Sequence, residues 1–181
     1  MTARDPSLPV ETLYEGRFLA VSRKGGWEFV QRRNTSGIVC IVAVTPDDEL
    51  LFVEQYRPPV GARVIELPAG LAGDIAGAED EPLSAAAQRE LEEETGWVAD
   101  EMRFLTEGPV SAGLSTEVLS FFQAHGLRRV GPGGGDGSED IVIHAVRVAD
   151  VPAWLAGRMA EGLMVDPKVY TGLYFAVSSR G

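Results

Sequence analysis

Residues 66–97 read ELPAGLAGDIAGAEDEPLSAAAQRELEEETGW, and the rest of the chain is arranged around them. Their second half predicts a helix. Pro82 follows the acidic pair Asp80 and Glu81, a composition suited to a first turn. Ala85 to Gln88, Leu91 and the glutamates are strong helix formers, and Gly96 supplies a stop. At about 100° per residue, Leu83, Ala86, Ala87 and Leu91 make one apolar stripe. Glu90 and Glu94 fall inside that stripe, whereas Ser84, Ala85, Gln88 and Glu92 take the other side. Two carboxylates turned towards the protein body repel each other and lose hydration. They stay charged beside a cation, and hard oxygen ligands of this kind suit Mg²⁺ or Mn²⁺.

The run Arg89-Glu90-Leu91-Glu92-Glu93-Glu94-Thr95-Gly96-Trp97, with Glu81 ahead of it, resembles the core of the Nudix box, G-x5-E-x7-R-E-U-x-E-E-x-G-U with U apolar. The first glycine of that motif would stand at Ile75. Gly70 is the natural counterpart, separated from Glu81 by ten residues instead of five, so 71–80 reads as an enlarged loop. WEFVQRR (27–33), EQYRPPVG (54–61), IELPAG (65–70), GLS (113–115) and VDPKVY (165–170) extend the resemblance over most of the chain. They are similar to the branch that hydrolyses ADP-ribose and other nucleoside-diphosphate sugars.

The resemblance implies an α/β/α sandwich with a mixed sheet, preceded by an antiparallel β-segment. Residues 1–36 would be that segment, used for homodimerisation and base binding, and 37–181 the hydrolase domain. It implies Mg²⁺, with Mn²⁺ possible, held by Glu90, Glu94 and the backbone carbonyl of Ala69. Glu139 would be a further metal ligand or the catalytic base, and Glu93 would orient a water or pair with Arg89. Glu81 would support the metal site or the loop. The branch stacks the base on an aromatic, often from the partner subunit, and Trp27 fits that position with Glu28 beside it as an acceptor. Arg57 and Arg32 would grip the diphosphate, with Glu66 also at the substrate. Simpler roles stand beside these: Trp27 packing in a hairpin, and the arginines in surface ion pairs. Ala112 occupies the place of a proline associated with ADP-ribose specificity, which implies a relaxed choice of sugar. The implied reaction releases a nucleoside monophosphate and a sugar phosphate. The alternatives are a sensor that binds ADP-ribose without cleaving it, and a nucleoside-triphosphate cleanup hydrolase.

The 181 residues, 45% hydrophobic and 24% charged, suit one domain with a real core plus an extension. The formal net charge of −11 disfavours nucleic-acid binding, which depends on neutralising phosphates. An anionic substrate therefore needs a metal and a few local arginines. Cys40 is the only cysteine, so no intrachain disulfide forms and a reducing compartment fits. It lies in GIVCIVAV, which reads as a core strand and is too short for a membrane span. The first residues hold no apolar signal core, so the expected setting is cytoplasmic, without a membrane partner.

Elsewhere, Gly25-Gly26 between strand-like runs predicts a hairpin within 11–33, placed as a neighbour of core strand 37–45. Strands are expected at 51–56, 64–67, 97–106, 117–124 and 140–148, with loops at Pro68-Ala69-Gly70 and 108–116. GPGGGDGS (131–138) predicts a flexible loop. Helices are expected at 151–161, capped by Asp150, and at 167–177. His125 and His144 lie on separate strands, so structural roles are expected for both.

Overall fold

The computed structural model describes residues 7–135 and 140–178. Strands β1 (Val10–Glu15), β2 (Leu19–Lys24) and β3 (Trp27–Arg32) open the chain. β4 (Gly37–Ala43), β5 (Glu49–Arg57), β6 (Ala62–Glu66) and β7 (Ala69–Ala72) lead to helix α1 (Leu83–Thr95). Then come β8 (Trp97–Val98), β9 (Glu101–Pro109), β10 (Val118–His125) and β11 (Arg128–Arg129). β12 (Val142–Arg147), a 3-10 turn at Val148–Asp150, α2 (Val151–Ala160), β13 (Met164–Val165) and α3 (Lys168–Ser178) complete the order.

β4 is the organising strand, because both its faces are apolar. Val39, Ile41 and Ala43 pack with Ala86, Ala87 and Leu91 of α1. Cys40 and Val42, pointing the other way by strand alternation, pack with Val169 and Ala176 of α3. Each such Val or Ile contributes about 1.5–3 kcal/mol on burial. The result is the expected α/β/α sandwich, with the β structure in two four-stranded mixed sheets. One has the order β7-β4-β10-β9, with β4 and β10 parallel. The other has the order β12-β5-β6-β13, with β6 and β13 parallel. Trp154 of α2 stacks on Phe52 of β5, with ring centroids 5.2 Å apart, and covers the second sheet.

Four features depart from expectation. Pro68-Ala69-Gly70 is a crossing point and not a loop: Pro68 carries the chain from β6 in one sheet to β7 in the other. Its carbonyl accepts from the Ile41 amide at 2.8 Å, and Ala69 and Gly70 pair with Cys40 and Val39. The strand expected over 97–106 is split, because β8 pairs with β11 and β9 with β10. Asp150 makes no side-chain cap to α2; the 3-10 turn already directs the chain into the helix. The N-terminal strands form a separate sheet, β1-β2-β3, that leaves β4 to pair with β7 and β10. That sheet is joined to the body at Val30, whose amide donates to the Leu114 carbonyl at 2.8 Å and whose carbonyl accepts from Thr116 at 3.1 Å. Among the described residues, no helix is long and apolar enough to cross a membrane.

Candidate active site

Arg89 sits on α1 with a carboxylate on each side. Its Nε donates to Glu81 Oε1 at 3.2 Å and its Nη2 to Glu81 Oε2 at 3.1 Å, a two-pronged pairing. Nη1 donates to Glu90 Oε1 at 2.7 Å and to Glu93 Oε2 at 3.1 Å, and Nη2 also to the Leu71 carbonyl at 2.8 Å. A guanidinium has five N–H groups, and these bonds use them all. Arg89 is therefore a positioning residue: it ties α1 to β7 and fixes three glutamates. The Glu81 carboxyl is held below the usual range, first by its hydrogen bond from Arg89.

Glu90 and Glu94 face inward, as the helical spacing predicts. Glu94 is 3% exposed and accepts from the Ala69 amide at 2.9 Å. The contact from Ala69 is thus its N–H, whereas the resemblance implied its carbonyl as a metal ligand. Glu90 lies against Gly70 so closely that an added Cβ there would stand 2.0 Å from the Glu90 carboxyl carbon. This is the reason for glycine at that position, the one the sequence offers as the natural counterpart of the motif's first glycine. Burial pushes the Glu90 carboxyl up to about 7, Glu93 and Asp74 add to the rise, and Arg89 opposes it. Two inward carboxylates, one of them hard to ionise, are the donor chemistry of a hard divalent cation. Among the described residues, no group of three His, Cys, Asp or Glu side chains converges to hold one. Glu139, the expected third carboxylate, lies outside the described residues.

The glycine loop leading towards Glu139 is pinned to α1 as far as Gly135. Gly134 donates to the Glu94 carbonyl and Gly135 to the Glu93 carbonyl, both at 2.9 Å. Val130 and Gly131 donate to the Gly96 carbonyl at 2.8 and 3.1 Å. The carbonyls left over at a helix C-terminus are satisfied by this loop, which the glycine-rich composition alone reads as flexible. Gly96 takes the left-handed φ of 73°, and a Cβ there would stand 2.2 Å from the Gly131 carbonyl oxygen.

Glu90 and Glu94 border a cleft of about 690 Å³ between the two sheets. Arg57, Glu66 and Arg32 line it too. Arg57 Nε donates to the buried Glu66 at 2.6 Å, and Arg32 Nε to Glu117 Oε1 at 2.7 Å. Both arginines thus make the ion pairs of the simpler reading and also face the cleft. Trp27 and Glu28 do not line it. The Trp27 indole donates to the Gly113 carbonyl at 3.0 Å, and 52% of the residue remains exposed. Sequence reasoning missed Asp74 in the enlarged loop, Glu117, and Lys168 with its partner Asp166, all of which line the cleft. VDPKVY was a signal for the last pair. His144 is structural, bonded to Glu54 at 2.9 Å and packed on Trp154. Cys40 is buried in the core, and that burial pushes its thiol up.

A model of the NUDIX domain matches residues 34–161. The chain is 36% identical over 93 residues to the methanol dehydrogenase activator of Bacillus methanolicus, covering 51% of this chain and 48% of that protein. It is 39% identical over 127 residues to the ADP-ribose pyrophosphatase of Mycobacterium tuberculosis, covering 67% and 59%. The chain thus spans about half the length of the curated relatives it matches. A crystal structure of an ADP compounds hydrolase superposes with a TM-score of 0.68 at 23% identity, over 95% of this chain and 91% of that one, and shows the same fold.

Proposed function

The chain belongs to the Nudix family, and on that premise we propose that it hydrolyses the pyrophosphate bond of ADP-ribose and related nucleoside-diphosphate sugars. The products are a nucleoside monophosphate and a sugar phosphate. The observation that carries this reading is the Glu90–Glu94 pair, Glu90 held by Arg89 and Glu94 by the Ala69 amide, bordering a cleft that Arg57 and Arg32 also line. The ADP-ribose pyrophosphatase among the relatives supports the substrate class.

In this reading Glu90 and Glu94 hold Mg²⁺ or Mn²⁺, with Ala69 beside them. A bound divalent ion withdraws charge from the phosphoryl oxygens and acidifies water. Arg57, anchored through Nε to Glu66, presents its remaining N–H groups to the diphosphate, and Arg32 does the same from β3. Arg89 keeps Glu90 and Glu93 in place, so that Glu93 orients the attacking water. Glu139 acts as a further ligand or as the base.

Residues 1–36 form a dimerisation segment, and the functional unit is a homodimer. Val10, Leu13, Tyr14, Phe18, Leu19 and Trp27 are exposed there, which supports an intersubunit surface. Trp27 and Glu28, outside their own cleft, serve the base in the partner's. Sedimentation of the full chain and of a chain lacking residues 1–33 tests this; a monomeric full chain would contradict it. The setting is cytoplasmic, in keeping with one buried, unpaired cysteine.

The experiment for the activity is a panel of ADP-ribose, GDP- and UDP-sugars and nucleoside triphosphates, with and without Mg²⁺ and with the products identified. ADP-ribose and at least one other nucleoside-diphosphate sugar are expected to turn over at efficiencies within about a hundredfold, or roughly 2.7 kcal/mol. Pyrophosphate release from triphosphates as the preferred reaction, or binding without turnover, would overturn the reading.

A further inference from the structure

A second cavity of about 470 Å³ lies beside the cleft. The two share Val110, Leu119, Asp166, Pro167 and Lys168, so the side cavity adjoins the cleft that Glu90 and Glu94 border. Its size falls within the roughly 300–1,000 Å³ of small-molecule sites. Leu119 and Phe121 of β10 give it an apolar wall. Thr106 on β9, the cross-strand partner of Phe121, and Thr171 on α3 border it with two hydroxyls. Hydroxyls donate and accept. An apolar wall bordered by such groups is complementary to a sugar ring, with its C–H faces and its rim of hydroxyls.

Resting on the diphosphatase reading above, we infer that the side cavity is the subsite for the terminal sugar of the substrate, with Thr106 and Thr171 as its specificity-determining residues. Lys168 stands where the two cavities meet, with its ammonium bound to the Asp166 carboxylate. It meets the phosphate that carries the sugar, while Arg57 and Arg32 meet the diphosphate from the other side of the cleft. The Lys168 amide also donates to Asp166 Oδ1 at 2.8 Å, which fixes the first turn of α3 and with it the side of the cavity that bears Thr171.

The test uses two compounds that differ only in the sugar, ADP-ribose and the β-methyl ester of ADP. Thr171→Phe narrows the cavity from α3, and Thr106→Phe narrows it from the edge strand β9. In each variant the ratio of kcat/KM for ADP-ribose to that for the methyl ester is expected to fall by about tenfold or more, the scale of a steric change in a pocket. An unchanged ratio in a variant with the native circular dichroism and melting temperature would overturn the subsite. Because the variants enter from different elements, misfolding of one leaves the other to decide. Wild-type protein that hydrolyses neither compound overturns the diphosphatase reading and the subsite with it. Wild-type protein that hydrolyses both, with variants that alter both alike, overturns the subsite alone.

Discussion

Helix α1 buries Ala86, Ala87 and Leu91 completely, whereas all six residues of β1 are exposed. The same contrast holds for the polar groups. On α1, Arg89 spends every donor on groups of its own chain. In the N-terminal sheet, Arg23 and Arg33 pair with Glu11 and Glu15 at the surface, where ion pairs contribute about 0–1 kcal/mol. The site around α1 is thus assembled within one chain. The N-terminal sheet has strand pairing and is attached to the body through Trp27, Val30 and Arg32, and Val10, Leu13, Tyr14, Leu19 and Trp27 on it are exposed. The proposed chemistry falls in the region whose polar groups are satisfied within one chain, and the proposed dimer contact in the region whose apolar residues are exposed.

The largest effect that separates the two regions is expected from Arg89→Met. It leaves Glu81, Glu90 and Glu93 without their shared cation, so it should cost both activity and about 3 kcal/mol of stability by urea unfolding. A folded variant with wild-type stability and turnover would show that the Arg89 network is incidental. Gly70→Ala sharpens the point, because the new methyl meets the flexible end of Glu90 and not the backbone. Stability should change little while kcat falls by about 10²-fold, the scale for displacing a reacting group by an ångström. Loss of both together would mean that Gly70 serves packing and not the placement of Glu90. Trp27→Ala probes the other region. It should weaken all nucleotide-sugar substrates alike by about 1–3 kcal/mol, the worth of one base–aromatic stack, with stability unaffected. Unchanged kinetics would remove Trp27 from the site and leave it the packing role seen against Gly113.

The facing of Glu90 and Glu94 was legible because a helix of known period leaves no freedom in which residues share a stripe. The burial of β4 was legible for the same kind of reason, since a run such as GIVCIVA has no polar side to expose. The two-pronged ion pair of Glu81 with Arg89 was not legible: the sequence offered Glu93 as the partner of Arg89 and assigned Glu81 to the metal site or the loop. What was not legible depends on partners distant in the chain. Pro68 reads as a turn, and only the pairing of β7 with β4 makes it a crossing between sheets. Residues 131–135 read as flexible, and only the carbonyls at the end of α1 give their amides something to bind. Lys168 and Thr171 belong to an apolar helix pattern. Their place at the side cavity follows from α3 packing on the far side of β4 from α1.

The central claim is that the inward carboxylates of α1 make a cation-dependent hydrolytic centre. Glu94→Gln tests it most directly, because it removes one charge from the pair while keeping the side chain's size. Turnover of ADP-ribose should be measured across a Mg²⁺ titration, beside wild type and with circular dichroism to establish that the variant is folded. The expected result is a loss of about 10³-fold or more in kcat at saturating Mg²⁺, the order seen when an electrostatic element of a site is removed. A folded Glu94→Gln protein with near-normal turnover and an unshifted Mg²⁺ dependence would contradict it.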